Sequence, residues 1–133
     1  MSSTAEVRDD GAASTDELMA TARSVADRVG SGEEIDVMVS RGSSTSIKVF
    51  GGEVEAFTSA RTAGIGIRVI VDGRVGFAHA GSLAPDVVEG VLAEARDNVP
   101  FSEPDDWAGL ADPDGVEPIF HDHWNPAILE LSA

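Results

Sequence analysis

Two histidines near the end of the chain have the spacing of metal ligands. His121 and His123 flank Asp122, and in an extended segment residues two apart point to the same side. Imidazole nitrogens and carboxylate oxygens are common ligands of zinc, but a site needs three or four that converge. Residues 99–133 contain no other histidine. We therefore interpret the pair as exposed polar residues of a linker and assign no metal ligand.

His79 is a second candidate for chemistry, because an imidazole that titrates near neutral pH can act as a general base. The pattern around it indicates no serine nucleophile or metal partner, and the chain has no cysteine. The lack of cysteine also excludes a disulfide framework and a thiolate metal site. We interpret His79 as a polar residue at the end of a strand, and we assign no catalytic residue.

The segment Gly64-Ile65-Gly66 begins like a dinucleotide-binding fingerprint. The position of its third glycine holds Val69, and no helix is predicted to follow. A hairpin signal at Asp72-Gly73 instead places the run in a strand. We therefore reject nucleotide binding and assign no cofactor-binding residue.

Three basic residues, Lys48, Arg68 and Arg74, raise the question of nucleic-acid binding. The chain carries 24 acidic and 9 basic residues, a formal charge of −15, and an acidic surface repels both nucleic acid and anionic membranes. We expect neither as a partner. The charge is uneven, because residues 97–133 contain nine acids and no base, whereas residues 40–80 contain five bases and three acids.

The N-terminus has neither the basic start nor the apolar stretch of a signal peptide, and no apolar run is long enough to span a bilayer. A cytoplasmic protein is expected. Residues 1–13 are small, polar and acidic, which predicts a disordered lead-in.

Two amphipathic helices are predicted. The first begins with a capping box formed by Ser14 and Glu17. It is predicted to end just before Gly30, which would adopt a left-handed conformation. The second spans residues 85–98, with proline in its first turn. The apolar stripes comprise Leu18, Ala22, Val25 and Val29 in the first helix and Val88, Val91, Leu92 and Ala95 in the second.

Between the helices, alternation and turn residues predict a four-stranded antiparallel meander. The first strand region, residues 35–49, is interrupted at residues 41–44 by either a bulge or a loop. Gly51-Gly52 is a hairpin signal and leads into a strand at about residues 53–60. A turn near Thr62-Ala63 would then precede the last two strands, residues 64–71 and 74–80.

The two faces of the predicted sheet differ in composition. One face is apolar and would be covered by both helices, which makes an α+β fold over residues 14–98. The other is basic and contains glycines that allow close approach of another backbone. The apolar face would hold Ile65, Ile67, Val69, Val71, Val75 and Phe77, and the other Lys48, Gly66, Arg68, Arg74 and Gly76.

Residues 99–133 are predicted to form an extended acidic arm. The arm contains Trp107 and Trp124, and their aromatic rings suit either a partner protein or the domain itself. Asn125-Pro126 is a helix-starting pair, so the sequence is expected to end at the start of a truncated helix that leads to an absent C-terminal domain.

The run from Gly52 to Ala78, GEVEAFTSARTAGIGIRVIVDGRVGFA, closely resembles the N-terminal domain of the TldD/PmbA family, also called modulators of DNA gyrase. The resemblance covers about residues 15–131 and includes residues 101–110 and 124–129. Residues 101–110 are more similar to the PmbA-type branch.

The resemblance implies metal-dependent peptidases and their partner subunits, assembled as dimers around a cleft. In TldD-type subunits a C-terminal domain carries an H-E-x-x-x-H motif and binds zinc, whereas PmbA-type partners lack the motif. This sequence has no H-E-x-x-x-H. The resemblance therefore carries over no catalytic residue, and it places zinc in a partner or in a missing domain rather than in this chain.

Three hypotheses follow. The first is a non-catalytic N-terminal domain of a peptidase complex that degrades peptides or unfolded proteins, whose partner is a TldD-type subunit or its own C-terminal domain. The second is a subunit that is itself an active metallopeptidase once a C-terminal domain is supplied. The third is a standalone acidic interaction protein, which ranks last because the acids lie at the chain ends.

Overall fold

The computed structural model describes residues 11–123 and 125–130. The first ten residues of the predicted lead-in and Trp124 therefore lie outside the described residues. Helix α1 spans Gly11–Ala26 and so begins three residues before the predicted cap at Ser14. No helix in the described part is long and apolar enough to cross a membrane.

The end of α1 also differs from the prediction. The N–H groups of Arg28 and Val29 donate to carbonyls three residues earlier, at 3.0 and 3.1 Å, so the last turn tightens instead of continuing. Val29 is 49% exposed, outside the stripe assigned to it. The left-handed residue of this turn is Gly32, with φ 76°, rather than Gly30.

The sheet has three antiparallel strands in the order β1-β2-β3: β1 spans Glu34–Phe50, β2 Glu53–Val71 and β3 Arg74–Ala80. Both predicted hairpins are confirmed. Positive φ angles occur at Gly51 and Gly52, 62° and 85°, and at Asp72 and Gly73, 48° and 75°. Two consecutive positive φ angles match the twist of the flanking strands.

The prediction of four strands was wrong because neither interruption exists. Arg41 pairs with Ala63 and Gly42 with Thr62, so the proposed bulge and the proposed turn lie opposite each other in one continuous ladder. The register shifts only between Lys48 and Val49. Thr62-Ala63 has no residue that requires turn geometry, and the small polar residues on both strands pair without a break.

The core lies between the sheet and the helices. Helix α2 spans Pro85–Asn98 as predicted, and its predicted stripe is buried. Val25 of α1, which is fully buried, joins the same cluster, so both helices cover one face. The remaining buried members of this cluster are Ile35, Ile65, Ile67, Val69, Ala78, Val88, Val91, Leu92, Ala95 and Val99.

The faces of β3 are reversed relative to the prediction. Gly76 pairs with Val69 and therefore shares the helix-covered face, whereas Val75 pairs with Ile70 and Phe77 with Arg68 on the other face. A side chain at Gly76 would place Cβ 1.9 Å from the carbonyl oxygen of Ala95. Helix α2 thus lies against the backbone of β3, which is why the apolar Phe77 points away and is 55% exposed.

Gly90 offers a simple gain in stability. It lies inside α2 and is exposed, and a Cβ there would meet nothing within 4 Å. Gly90→Ala is therefore expected to raise the free energy of unfolding by about 0.5–1 kcal/mol, because alanine loses less backbone entropy in a helix. Urea unfolding at pH 7 measures the change, and an unchanged or lower value would contradict this account of the helix.

A hydrogen-bonded ion pair between Glu33 and Arg96 joins the turn after α1 to α2. Arg96 donates from Nε and Nη2 to the two carboxylate oxygens of Glu33, at 3.0 and 2.9 Å, and from Nη2 to the carbonyl of Arg28 at 2.8 Å. The N–H of Gly30 donates to Glu33 at 2.8 Å. These bonds, with that from Arg96 largest, lower the pKa of Glu33 below its ordinary value.

The Glu33–Arg96 ion pair predicts a pH dependence of stability. Because the pKa of Glu33 is lower in the folded state, its contribution is complete above the unfolded pKa and is lost as pH falls through the folded one. Glu33→Gln is expected to cost about 1–2 kcal/mol at pH 7, since the pair is partly exposed, and little at low pH. Urea unfolding from pH 7 down to pH 3 measures this, with exposed Glu94→Gln as the charge-matched control. An equal loss at both ends of the range would contradict it.

The chain after α2 is held to the sheet by backbone N–H groups and by the Ser102 side chain. A 3₁₀ turn covers Val99–Phe101, and the Ser102 hydroxyl accepts from the N–H of Val75 at 2.9 Å. The N–H of Asp105 donates to Gly73 at 2.8 Å, and that of Leu110 donates to the Glu34 carboxylate at 2.8 Å. Farther along, Asn125 caps a second 3₁₀ turn, Pro126–Glu130, by accepting from Ala127 at 3.0 Å.

Candidate functional site

The sheet face that points away from both helices is the first candidate surface, and we call it the open face. It holds a shallow depression of about 200 Å³ lined by Asp36, Met38, Gly66, Arg68 and Phe77. The residues come together because Asp36 pairs with Arg68 and Met38 with Gly66 across β1 and β2, while Phe77 pairs with Arg68 from β3.

The centre of the open face is apolar and partly aromatic. The Phe77 ring lies over Gly66, so that a Cβ on Gly66 would be 3.3 Å from the ring. His79 stacks on the same ring, with centroids 5.7 Å apart and planes 19° apart. Met38 is 75% exposed beside them. The exposed thioether, the ring and the missing side chain of Gly66 make a flat surface suited to an apolar partner.

The polar part of the open face is an ion pair. Arg68 Nη2 donates to an Asp36 carboxylate oxygen at 2.9 Å, and the Arg68 Nε is buried without a hydrogen-bond partner among the described residues. The pair leaves the surface nearly neutral. Both side chains are about half exposed, so the pair can offer hydrogen bonds to a bound molecule.

The prediction that Lys48, Arg68 and Arg74 share one basic face was wrong. Lys48 pairs with Glu55 at 2.6 Å, Arg68 pairs with Asp36, and Arg74 donates to the carbonyl of Ser102. Each charge is thus matched locally. Lys48 and Arg68 also lie far apart, because their β1 positions, 48 and 36, are separated by about 40 Å of strand. The three do not form a joint patch for an anionic ligand.

The second candidate surface is the two-stranded ribbon formed by residues 41–63. β3 pairs with β2 only from Ile65 onward, so beyond that point β1 and β2 continue alone. Every residue from 41 to 62 is exposed. The sequence reasoning missed this ribbon, although one signal was present: small polar residues mirror each other on either side of Gly51-Gly52.

The outer end of the ribbon carries apolar side chains. Ile47 pairs with Phe57 and Val49 with Val54, and residues paired across strands lie on the same side. These four side chains are 44–63% exposed, and Phe50 at the turn is 78% exposed. We call Ile47, Val49, Val54 and Phe57 the ribbon patch.

The histidines do not form a metal centre in the described part of the chain. His121 and His123 lie on one side of their segment with ring centroids 5.5 Å apart, as the alternation predicted. Stacked rings do not by themselves converge on one ion, and no group of three or more candidate ligands occurs among the described residues.

Phe101 and Trp107 of the acidic segment do not dock on the domain. Trp107 is 94% exposed and Phe101 is 88% exposed. Only the backbone near Trp107 is held, where its N–H donates to the Asp105 carboxylate at 2.9 Å. The alternative that placed Trp107 on its own domain was wrong, and its ring is available to a partner.

Comparison with known proteins identifies the sheet and α2. Residues 35–99 match the family model described as PmbA/TldA metallopeptidase domain 1. No curated protein matches the chain. The crystal structure of TldE from Thermococcus kodakarensis is similar, with a TM-score of 0.60 and 21% identity over 92% of this chain and 26% of that one. The chain thus spans about a quarter of that relative's length.

The family resemblance seen in the sequence is confirmed over a narrower range than predicted. The matched residues begin in β1 and include both hairpins, the open face and α2. The structural similarity, at its low identity, supports the fold. Neither comparison separates the PmbA-type branch from the TldD-type branch.

Proposed function

We propose that this chain, whose residues 35–99 match the model of PmbA/TldA metallopeptidase domain 1, is a non-catalytic domain of a TldD/PmbA-type peptidase assembly. Its substrates would be peptides or unfolded proteins. The observation that carries the proposal is the family match over the sheet whose second face is open. The Asp36–Arg68 pair and the exposed Met38 give that face groups for recognition rather than for bond cleavage.

The open face would form part of the wall of a substrate cleft. Its apolar centre around Met38 and Phe77 supplies contact area, and Asp36 with Arg68 supplies polar groups at its margin. The zinc and its ligands would belong to a TldD-type subunit or to a C-terminal domain of the type that carries H-E-x-x-x-H. No step of the peptidase reaction is assigned to residues of this chain.

Complex formation tests the proposal. The chain is mixed with a zinc-loaded TldD-type subunit and analysed by size-exclusion chromatography with light scattering. Co-elution as a defined complex is the expected result. Separate elution at concentrations of tens of micromolar would count against the assembly, while zinc-dependent cleavage of an unfolded peptide by this chain alone would favour the alternative of an active peptidase.

A further inference from the structure

The sequence has three Asp-Gly pairs, of which Asp72-Gly73 and Asp114-Gly115 lie wholly within the described residues. In such a pair the amide nitrogen of glycine can attack the aspartate side-chain carboxyl, because glycine has no Cβ to hinder the approach. Ring closure forms one C–N bond, releases one water and gives a five-membered succinimide. Hydrolysis consumes one water, breaks either of the two ring C–N bonds and yields aspartate or isoaspartate. Ring closure needs backbone rotation at the pair, so its rate depends on how firmly the fold holds that pair.

The fold holds Asp72-Gly73 in place. The pair forms the turn of the β2-β3 hairpin, with φ angles of 48° and 75°, and Val71 pairs with Arg74 across it. The carbonyl of Gly73 accepts the N–H of Asp105 at 2.8 Å, and a Cβ on Gly73 would lie 2.7 Å from the Asp105 carbonyl oxygen. Rotation of this turn would therefore break the end of the hairpin and its contact with the chain after α2.

Asp114-Gly115 has no comparable restraint among the described residues. Every residue from 111 to 123 is exposed, and a Cβ on Gly115 would meet nothing within 4 Å. The hydrogen bond at this pair is local, because the Asp114 carboxylate accepts from the N–H of Val116 at 2.9 Å. That bond folds the carboxyl back toward the backbone that follows it, which is where the Gly115 nitrogen lies. Neither packing nor strand pairing opposes the rotation that closes the ring.

We propose that Asp114-Gly115 is a site of spontaneous isoaspartate formation in the folded protein and that the hairpin protects Asp72-Gly73 from the same reaction. Isoaspartate adds one methylene to the backbone and leaves the α-carboxylate as a short side chain, so charge and mass stay those of aspartate. The product in an exposed segment is a substrate for an isoaspartyl carboxyl methyltransferase. That enzyme moves a methyl group from the sulfonium of S-adenosylmethionine to the carboxylate oxygen and releases S-adenosylhomocysteine.

Peptide mapping tests the proposal, because trypsin separates the Asp-Gly pairs. Cleavage after arginine places Asp72-Gly73 on residues 69–74, Asp114-Gly115 on residues 97–133 and the remaining pair on residues 9–23. The whole chain is aged in its folded state at mildly acidic pH, digested, and labelled with the methyltransferase and S-adenosylmethionine. Label on residues 97–133 is expected to accumulate at least about tenfold faster than on residues 69–74, since ring closure at Asp72 first requires local opening of the hairpin.

Two controls accompany this measurement. Asp114→Glu keeps the charge, but its imide ring has six members and closes far more slowly, so the label on residues 97–133 should be lost. Ageing the chain in urea removes the hairpin, and the peptides 69–74 and 97–133 should then gain label at comparable rates. In the folded chain, equal labelling of the two peptides, faster labelling of 69–74 or no label on 97–133 would overturn the proposal. Label that persists on 97–133 in Asp114→Glu would overturn it as well.

Discussion

Gly76→Ala is expected to lower the free energy of unfolding of the domain more than the other two sheet substitutions, Gly66→Ala and Met38→Glu. The new Cβ would lie 1.9 Å from the Ala95 carbonyl oxygen and 2.7 Å from the Val99 nitrogen. Both atoms belong to backbone, so neither can turn aside as a side chain would. The loss should reach or exceed the upper end of the usual overpacking range, about 3 kcal/mol, which urea unfolding measures.

The matched control for that prediction is Gly66→Ala. Gly66 lies in the same sheet on the open face, where a Cβ would be 3.3 Å from the Phe77 ring. That ring belongs to a side chain that is 55% exposed and can shift, so the cost should be below about 1 kcal/mol. Equal losses in the two variants would contradict the close approach of α2 to β3.

The second large effect is expected from a charge on the open face. Met38→Glu places a carboxylate at the apolar centre of the surface proposed to line the cleft, where Met38 is 75% exposed. The free energy of unfolding should change by less than about 0.5 kcal/mol, as for other exposed positions. The kcat/KM of the complex with a TldD-type subunit should fall about tenfold or more, because burial of an unpaired charge is costly.

Ala93→Glu serves as the matched control for the open-face variant. Ala93 is exposed and lies on α2, which packs on the opposite face of the sheet, so this substitution adds the same charge away from the open face. Peptide cleavage by the complex should be unaffected. If both variants reduce kcat/KM equally, or if Met38→Glu reduces only stability, the open face has no part in the cleft.

Helix α2 shows what the sequence predicts well. Its boundaries, Pro85–Asn98, and its buried stripe were both predicted, because a proline in the first turn and a regular apolar spacing are local signals. The two hairpin turns were predicted for the same reason, since Gly51-Gly52 and Asp72-Gly73 need positive φ angles. Each of these features depends on residues within one turn or one helix.

The faces of β3 could not be predicted from alternation. Apolar residues normally indicate the buried side, which assigned Phe77 to the core. The structure instead buries Gly76 and Ala78, because the backbone of α2 at Ala95 takes the space that side chains would occupy. Whether a strand position must be glycine depends on how closely a helix that is distant in the sequence approaches the strand backbone. A glycine within a strand can also mark a bulge or a bend, so it does not by itself predict such an approach.

The ribbon and the open face could be predicted only in part. Gly66 and Arg68 were placed on the second face correctly, and the expectation that this face accepts another backbone rested on its glycines. The continuous pairing of residues 41–44 with 60–63 is a long-range property, and the Ser and Thr residues in these segments do not predict it. The exposure of Trp107 could not be predicted from the sequence either, because a tryptophan in such a segment is equally compatible with packing on its own domain and with exposure to solvent.

Peptide cleavage shows directly whether this chain is a non-catalytic partner of a zinc-bearing subunit. The chain, a zinc-loaded TldD-type subunit, and the two together are each incubated with an unfolded peptide carrying a fluorophore and quencher. We expect no zinc-dependent cleavage by the chain alone and a higher kcat/KM for the pair than for the subunit alone. Cleavage by the chain alone, or a rate for the pair equal to that of the subunit, would contradict this expectation.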